Sequence, residues 1–371
     1  MIRIRCAVVG TGHGMSHIVR VLEHPHLELA AVCASSPKSL DYLRGEPVPV
    51  DLDSVTFTAP RTELIGRARR HPEFSKVRLV TDYEAVLAME DVDAVILSVP
   101  VFLNAPFATK ALRAGKHVIA EKPFAITEEQ GVELYRAVKE SGRAFVLAFE
   151  FRRSPLMKGV RRVIESGELG VVRQLWWNMH RMPLRPTHSS RERTGGAFTA
   201  ECCHWFDLFD LFQGGARFRR VASFGGLDVN GHMDFADNAV TIVEYDTGVR
   251  ASLNYTYFTD QPGHQLFGVV GTRGKLRGET EGAGSFVLFS GPSQDRTEYV
   301  VNPARAHQGH LGFDLLHDDL VAQIEGDRRE ALREAERGLE NMRLGLAAQQ
   351  ALDTGQVVAR EQAAGQWLSA V

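Results

Sequence analysis

The hydrophobic positions in the first 150 residues form short continuous runs separated by amphipathic stretches. Apolar runs occupy residues 4–9, 27–34, 77–80, 94–99, 118–120 and 144–151. Such runs are typical of parallel strands that helices cover on both faces. Strands that alternate with helices predict a doubly wound α/β sheet, whose strand–helix–strand units cross over in the right-handed sense.

Beyond residue 150 the hydrophobic positions alternate with polar ones. Residues 249–257 are the clearest case, because five apolar or aromatic residues there alternate with Arg, Ser, Asn and Thr. Alternation predicts a strand with one buried face. A turn at Asp246–Gly248 joins it to the preceding strand, and further strand candidates are 171–181, 219–224, 264–270, 285–290 and 298–301. We predict an α+β domain with a mainly antiparallel sheet that helices cover on one side.

The change of pattern places one domain at residues 1–150 and another at 151–371. A chain of 371 residues is long enough for two cores of ordinary size. Within the first domain, Asn104 is predicted to cap a helix, and Thr81 with Glu84 is predicted to form a capping box. Residues 44–76 show no clear periodicity, and we interpret them as a solvated surface excursion.

Charge, hydropathy and cysteine content indicate which class of partner and which cellular compartment to expect. The chain has 43 basic and 46 acidic residues, which favours a small-molecule partner over nucleic acid or an anionic membrane. No apolar run approaches membrane-spanning length, and the N-terminus enters a strand directly, so we expect no signal peptide. Four cysteines, two of them adjacent, suit a reducing cytoplasm.

A glycine turn follows the first predicted strand. Gly10, Gly12 and Gly14 precede a helix, with His13 inside the turn. Exposed backbone N–H groups at a helix N-terminus bind a pyrophosphate, so this context predicts a dinucleotide-binding Rossmann domain. The third glycine comes one residue earlier than in the usual fingerprint. We expect all four residues to contact a cofactor.

The end of the second strand indicates which dinucleotide binds. Ser35, Ser36 and Lys38 stand where an NAD-binding domain usually has a carboxylate for the ribose hydroxyls. Hydroxyls and an ammonium can hold a 2′-phosphate instead. We therefore favour NADP(H), with a solvated turn and use of either nucleotide as the alternative. As an alternative to a solvated surface excursion, residues 44–76 are a candidate to cover the adenosine end of the cofactor.

A lysine follows the fifth strand. Ligands of doubly wound sheets lie at the carboxyl ends of the strands, which places Lys122 where chemistry is expected. Pro100 and Asn104 follow the fourth strand at the same edge, and Glu121 precedes Lys122. We predict that these four residues line the cofactor site.

The second domain contributes a histidine. Glycines 195 and 196 lead into a predicted helix on which Glu201 and Asp207 flank His204 one turn to either side. An imidazole, with an unperturbed pKa of about 6.5, exchanges protons with a hydroxyl near neutral pH. A purely structural histidine is the alternative.

The sequence Cys202-Cys203-His204 does not indicate a metal site. Adjacent residues on a helix point in different directions, whereas metal ligands must converge. We expect no metal and interpret the two cysteines as small core residues.

Together these motifs resemble the Gfo/Idh/MocA family, named for glucose–fructose oxidoreductase, inositol dehydrogenase and rhizopine catabolism. The resemblance rests on the glycine turn, residues 114–118 leading into Glu121-Lys122-Pro123, Gly195-Gly196 followed by His204 and Asp207, Gly271 to Gly274, and the runs 310–324 and 338–357. It implies an NAD(P)-dependent oxidoreductase that acts on a sugar, cyclitol or related polyol. It also implies a homodimer or homotetramer formed through the C-terminal sheet.

The resemblance assigns roles to individual residues. Lys122 corresponds to the family's active-site lysine and His204 to its catalytic histidine. The family commonly has an aspartate four residues before that histidine, where this chain has Ala200. We therefore predict that Glu201 orients His204. Independently of the resemblance, the Arg and His residues of loop 181–194 make it a candidate for contacts with substrate hydroxyls or a carboxylate, with a mobile surface loop as the alternative.

Two other functions remain open on the sequence alone. One is redox-neutral cleavage of a glycoside or ether, in which bound NAD oxidises a sugar hydroxyl transiently. The other is a non-catalytic nucleotide-binding sensor, which the missing aspartate suggests.

Overall fold

The computed structural model of the protein describes residues 3–48, 58–184, 188–259, 264–280, 284–291, 295–300, 312–326 and 329–363. Contacts divide the chain into two units. The first comprises residues 1–124, 129–148 and 313–336, and the second comprises 125–128, 149–312 and 337–371. Residues 313–336 therefore pack with the first unit, although they lie within the range predicted for the second domain.

The first unit is built on a six-stranded parallel sheet. Its strands are β1 (Ile4–Val9), β2 (Leu27–Cys33), β3 (Arg78–Val80), β4 (Ala94–Leu97), β5 (His117–Ala120) and β6 (Phe145–Leu147). They lie in the order β3-β2-β1-β4-β5-β6, and all neighbouring pairs are parallel. This is the strand order of a dinucleotide-binding fold, so the predicted doubly wound class is confirmed.

Helices connect the strands and cover them. In the first half they are α1 (Gly14–Glu23), α2 (Pro37–Arg44), α3 (Arg61–Arg70), α4 (Tyr83–Leu87), α5 (Val101–Arg113) and α6 (Glu128–Ser141). In the second half they are α7 (Pro155–Glu165), α8 (Arg191–Thr194), α9 (Ala197–Ala200), α10 (Cys203–Gln213), α11 (Leu315–Glu325), α12 (Arg329–Thr354) and α13 (Arg360–Ala363). Two 3₁₀ turns span Pro72–Lys76 and Phe151–Arg153. Within the described residues, no helix combines the length and the apolar character needed to cross a membrane.

The interpretation of residues 44–76 as a surface excursion is wrong for its central part. Helix α3 lies there and contributes three residues to the hydrophobic core of the first unit: Leu64, Ile65 and Ala68. Its many arginines hide this short apolar face from a periodicity argument. Residues 49–57 lie outside the described residues.

Two predicted helix caps are also wrong. Asp82, not Thr81, caps α4, because its side chain accepts a hydrogen bond from the backbone N–H of Glu84. Asn104 lies inside α5, which begins at Val101 directly after Pro100. Proline suits the start of a helix because the first N–H groups have no partner in the helix.

The second unit is built on a nine-stranded sheet. Its strands are β7 (Val172–His180), β8 (Phe218–Gly226), β9 (Asn238–Tyr245), β10 (Arg250–Thr256), β11 (His264–Gly271), β12 (Gly274–Glu279), β13 (Ser285–Ser290), β14 (Asp295–Val300) and β15 (Val358–Ala359). They lie in the order β14-β13-β12-β11-β7-β10-β9-β8-β15. The pair β7 and β10 is parallel, and the other pairs are antiparallel. The mainly antiparallel sheet is confirmed.

The two faces of this sheet differ in exposure. On one face Ala251, Leu253 and Tyr255 are buried in the core of the second unit. On the other, Phe224 and Val240 lie opposite each other on neighbouring strands and are 68% and 51% exposed. The sheet thus has one covered face and one open face, as the alternating pattern predicts. The apolar side chains of Phe224 and Val240 on the open face are an addition to that pattern.

Some predicted segments extend beyond the described residues. These are residues 185–187 of loop 181–194, residue 301 of the strand candidate 298–301, and residues 310–311 of the run 310–324. Strands β12 and β15 are absent from the predictions. Strand β12 carries only one long apolar side chain, Leu276, and β15 has two residues, so neither shows an alternating signal.

Candidate functional site

The glycine turn after β1 has one closed position, where there is no room for a side chain, and one open position, where there is room. Gly10 has a φ of +105°, and a Cβ there would clash with the carbonyl oxygen of Ser98. Only glycine fits such a backbone at such a contact. Gly12 is exposed, and a Cβ there would have no heavy atom within 4 Å. A ligand can therefore approach the backbone of Gly12 closely.

The open glycine lies at the N-terminus of a helix. Helix α1 begins at Gly14, with the exposed His13 in the N-cap position. A helix N-terminus beside an unobstructed backbone favours phosphate groups, because N–H groups point outward and the helix dipole attracts anions. The turn fits a dinucleotide pyrophosphate. Contact of Gly10, Gly12, His13 and Gly14 with a cofactor stays a prediction.

The residues predicted to bind the adenosine ribose follow β2. Ser35 and Lys38 are exposed, and Ser36 is the N-cap of α2, with Oγ 3.4 Å from the backbone nitrogen of Ser39. No carboxylate occurs between residues 33 and 38. The structure therefore leaves two polar groups accessible at this turn, and their binding of a 2′-phosphate stays a prediction.

Lys122 follows β5 at the same edge of the sheet as the glycine turn. Its side chain is half-buried, and the Lys122–Pro123 peptide bond is cis. Asn104 Nδ2 donates hydrogen bonds to the carbonyl oxygens of Glu121 and Lys122, at 3.2 and 3.3 Å. Asn104 is buried, so it helps to fix the backbone that carries Lys122.

Glu121 ends a buried chain of three side chains. His17 Nε2 lies 3.1 Å from Glu121 Oε1, and His17 Nδ1 lies 3.1 Å from His317 Nε2. Burial, reinforced by the positive charge of His17 when protonated, holds the pKa of His317 well below its usual range. These three side chains link α1 and α11 to the end of β5. Sequence reasoning missed it, because no local pattern joins residues 300 positions apart.

In the second unit, aromatic packing fixes the helix that carries His204. Trp205 stacks on Trp177 with 4.4 Å between ring centroids, and its Nε1 lies 3.2 Å from Met179 Sδ. Phe149 and Phe151 meet the buried His204 ring edge-on, at centroid distances of 5.9 and 4.9 Å. These contacts restrict the orientation of the imidazole.

A carboxylate that the sequence analysis did not name lies beside His204. Glu150 Oε2 is 3.9 Å from His204 Nδ1, and the two side chains are 5% and 7% exposed. Glu150 directly precedes the 3₁₀ turn Phe151–Arg153. Helical spacing compares residues on one helix, so it gave no signal for a partner from another segment.

The continuous helix predicted through His204 is wrong. Helix α9 ends at Ala200 and α10 begins at Cys203, so Glu201 lies in the turn between them. Glu201 Oε2 is 3.0 Å from Arg181 Nη1. The α-helix is thus interrupted at Glu201 and Cys202, although the backbone N–H of His204 still donates to the Glu201 carbonyl oxygen at 3.4 Å. The orienting role of Glu201 stays a prediction.

Asp207 also has a partner other than His204. Its carboxylate contacts the guanidinium of Arg152, and both side chains are largely buried. Burial raises the pKa of Asp207 to about 7, although the charge of Arg152 opposes this rise.

The cysteines and histidines of the described residues form no cluster suited to a metal ion. No group of three or more His, Cys, Asp or Glu in that part of the chain could hold a metal ion. Cys202 is buried in the hydrophobic core, and Cys203 is buried beside it in α10.

Two sequence models match this chain. The model described as an oxidoreductase family with an NAD-binding Rossmann fold, Gfo/Idh/MocA, matches residues 4–149. The Gfo/Idh/MocA C-terminal domain matches residues 157–277. The first match spans the six-stranded sheet, and the second contains strands β7 to β11 of the nine-stranded sheet.

Curated relatives carry the names of sugar and cyclitol enzymes. The dTDP-3,4-didehydro-2,6-dideoxy-alpha-D-glucose 3-reductase of Actinomadura kijaniata is 35% identical over 136 residues, or 37% of this chain and 39% of the relative. The scyllo-inositol 2-dehydrogenase (NAD(+)) of Bacillus subtilis (strain 168) is 26% identical over 281 residues, or 74% of this chain and 73% of the relative. Against three relatives with 34% to 36% identity, the chain spans only 27% to 39% of their length.

A solved structure shares the fold. GenD2 from gentamicin A biosynthesis, in complex with NAD, superimposes with a TM-score of 0.77 and 18% identity over 97% of each chain. At this identity the likeness shows the fold alone. The two matching sequence models confirm the resemblance seen in the motifs, and the chain belongs to the Gfo/Idh/MocA family of oxidoreductases.

Proposed function

We propose that the protein transfers a hydride between a nicotinamide dinucleotide and a hydroxyl-bearing carbon of a sugar, cyclitol or related polyol. One observation carries this proposal. Gly12 follows β1 and Lys122 follows β5, so an open phosphate-binding turn and a half-buried lysine leave the same edge of one parallel sheet. Doubly wound sheets bind their ligands at that edge.

Two side chains would handle the substrate oxygen. When bound, NAD(P) supplies the hydride acceptor or donor. Lys122 Nζ donates a hydrogen bond to the oxygen as it gains negative charge, and His204 Nε2 accepts the hydroxyl proton. A positioned acid–base group typically contributes about a hundredfold to ten-thousandfold in rate, and an oriented cation beside an oxyanion contributes a comparable amount.

The class of substrate follows from the names of relatives. A dTDP-deoxysugar reductase and a scyllo-inositol dehydrogenase both act, by name, on a ring that carries several hydroxyl or carbonyl groups. We extend that class to this chain.

NADP(H) is the nucleotide that we favour. Exposed Ser35 and Lys38 follow β2, and the turn lacks a carboxylate that would repel a 2′-phosphate. One charge-assisted hydrogen bond contributes about 1.5 to 3 kcal/mol, or roughly tenfold to a hundredfold in affinity. A Lys38→Ala variant should therefore bind NADPH about tenfold more weakly and bind NADH as the wild type does.

The test follows the absorbance of reduced nicotinamide. Wild-type protein is assayed with NAD and NADP in parallel against myo-inositol, scyllo-inositol, D-glucose, D-glucuronate and a dTDP-sugar. We expect nucleotide-dependent turnover of at least one polyhydroxy ring. Nucleotide binding without turnover on the whole panel would argue for the sensor, and absence of nucleotide binding would contradict the proposal altogether.

A further inference from the structure

Glu150 and His204 come from separate segments of the second unit and meet in its interior. The distance of 3.9 Å between Glu150 Oε2 and His204 Nδ1 lies within ion-pair range when the imidazole is protonated. Both side chains are at most 7% exposed, so water screens their interaction poorly. The charge on either group therefore affects the protonation of the other.

The backbone at Glu150 is held in place. The backbone N–H of Arg153 donates to the Glu150 carbonyl oxygen at 3.0 Å, and Arg153 Nη1 donates to the Phe149 carbonyl oxygen at 3.1 Å. A Cβ at Gly312 would clash with the Glu150 carbonyl oxygen, so a third segment also packs here. The carboxylate thus approaches His204 from a fixed main chain.

Two further carboxylates close in sequence to His204 contact guanidinium groups. Glu201 pairs with Arg181, and Asp207 contacts Arg152. Each of these two carboxylates therefore has a cation of its own beside it. The aromatic rings that enclose the imidazole, Phe149, Phe151 and Trp205, carry no charge.

We propose that Glu150 is the residue that positions His204 and stabilises its imidazolium form. Its carboxylate lies beside Nδ1, so Nε2 is the nitrogen that we assign to the substrate proton. In the oxidation the substrate O–H bond would break as an N–H bond forms at Nε2, and bound NAD(P) would supply the acceptor for the hydride from the carbon that carries this oxygen. The positive charge created on the ring then lies beside the Glu150 carboxylate. The catalytic role of Glu150 rests on the proposed function, whereas its contact with His204 does not depend on that function.

The direct test is an NMR titration of the full-length protein labelled with ¹⁵N-histidine. A His204→Asn variant assigns the resonance, and wild type, Glu150→Gln, Glu201→Gln and the surface control Glu165→Gln are titrated in parallel. Removal of an opposite charge at this distance should lower the pKa of His204 by about one unit or more in Glu150→Gln. Glu201→Gln and Glu165→Gln should each leave it within about a few tenths of a unit.

A second variant guards against loss of the fold. Glu150→Asp keeps the charge and withdraws it by one methylene, so it should lower the pKa of His204 by less than Glu150→Gln does. Thermal melting shows which variants are folded. An unchanged pKa in the folded Glu150 variants, or a shift in Glu201→Gln alone, would overturn the proposal.

Steady-state kinetics distinguish a failure of this inference from a failure of the proposed function. On any substrate that the panel identifies, Glu150→Gln should lower kcat about tenfold or more, change KM little, and move the acidic limb of the pH profile to lower pH. A double variant with His204→Asn should be no slower than His204→Asn alone. Loss of activity in His204→Asn with normal activity and pH profile in Glu150→Gln would reject Glu150 and retain the function. An absence of turnover on the panel leaves the NMR titration as the deciding measurement.

Discussion

The two units form their candidate sites by different means. In the first, the site is made mostly by backbone: an exposed glycine, a helix N-terminus and a strand end at one edge of a sheet. In the second, it depends on side chains, because His204 meets a carboxylate from another segment inside an aromatic core. Substitutions that add atoms should therefore disturb the site of the first unit most. Substitutions that change a charge should disturb the site of the second unit most.

The largest expected effect on stability comes from a methyl group at the closed glycine. Gly10→Ala combines a positive φ with a backbone clash, so it should lower the free energy of unfolding by about 3 kcal/mol or more. Gly12→Ala is the matched control, and it should stay within about 1 kcal/mol of wild type while weakening nucleotide binding. Urea unfolding and nucleotide titration measure the two quantities. Equal destabilisation by both variants would contradict the distinction between closed and open positions.

A smaller loss is expected when a carboxylate is removed from the second unit. Asp237 accepts hydrogen bonds from the backbone N–H groups of Asp228, Val229 and Asn230, at 3.1, 2.9 and 2.8 Å. Asp237→Ala should therefore cost about 2 to 3 kcal/mol, and Asp237→Asn, which keeps one acceptor oxygen, should cost less. Urea unfolding at neutral pH compares them, and a harmless Asp237→Ala would refute this account of the loop.

The same residue predicts an acid-dependent loss of stability. Burial opposes ionisation of Asp237, but the hydrogen bonds, led by that from Asn230, outweigh it and hold its pKa below the usual range. The unfolded chain then binds a proton at a higher pH than the folded chain does. The contribution is complete above a pH of about 4 and is lost as pH falls through the lowered folded pKa.

The buried histidines of the first unit predict a smaller effect at milder pH. The pKa of His317 is lowered in the folded state, so the unfolded chain binds a proton first as pH falls below about 6.5. Stability should then decrease by up to about 1.4 kcal/mol per pH unit. Between pH 7.5 and 5.5, wild type should lose about 1 kcal/mol more than His317→Gln. Parallel pH profiles for the two proteins would show that His317 is not responsible.

The smallest expected change in stability concerns the open face of the second sheet. We propose that this face joins subunits, because its exposed residues Phe224, Val240 and Ile242 lie together across two paired strands. Phe224→Glu should convert a dimer or tetramer into monomers in light scattering after size-exclusion chromatography. Val171→Glu, at a residue 56% exposed outside this face, should leave the assembly intact. A monomeric wild type would contradict the proposal.

The sequence predicts the elements that a local pattern specifies and misses those that depend on distant segments or on a weak pattern. The six strands of the first sheet are predicted close to their observed places, because apolar runs between helices specify buried parallel strands. Helix α3 was missed because its apolar face is short and its surface strongly basic. In the second sheet, the parallel pairing of β7 with β10 joins segments more than 70 residues apart, for which alternation gives no information.

The candidate site divides in the same way. The glycine turn and Lys122 are found by local spacing, since both belong to single strand-to-helix connections. Glu150 is not, because its proximity to His204 depends on tertiary packing. The argument for Glu201 assumed one helix where the chain breaks into two at Glu201 and Cys202.

The proposed catalytic roles of Lys122 and His204 are the centre of this account, and steady-state kinetics test them most directly. Lys122→Ala and His204→Ala are compared with wild type and with the double variant, on the substrate identified by the panel. We expect kcat to fall by about a hundredfold to ten-thousandfold in each single variant, with nucleotide affinity nearly unchanged for His204→Ala. The double variant should lose less than the product of the two single losses. Near-normal turnover in either single variant would contradict the role proposed for that residue.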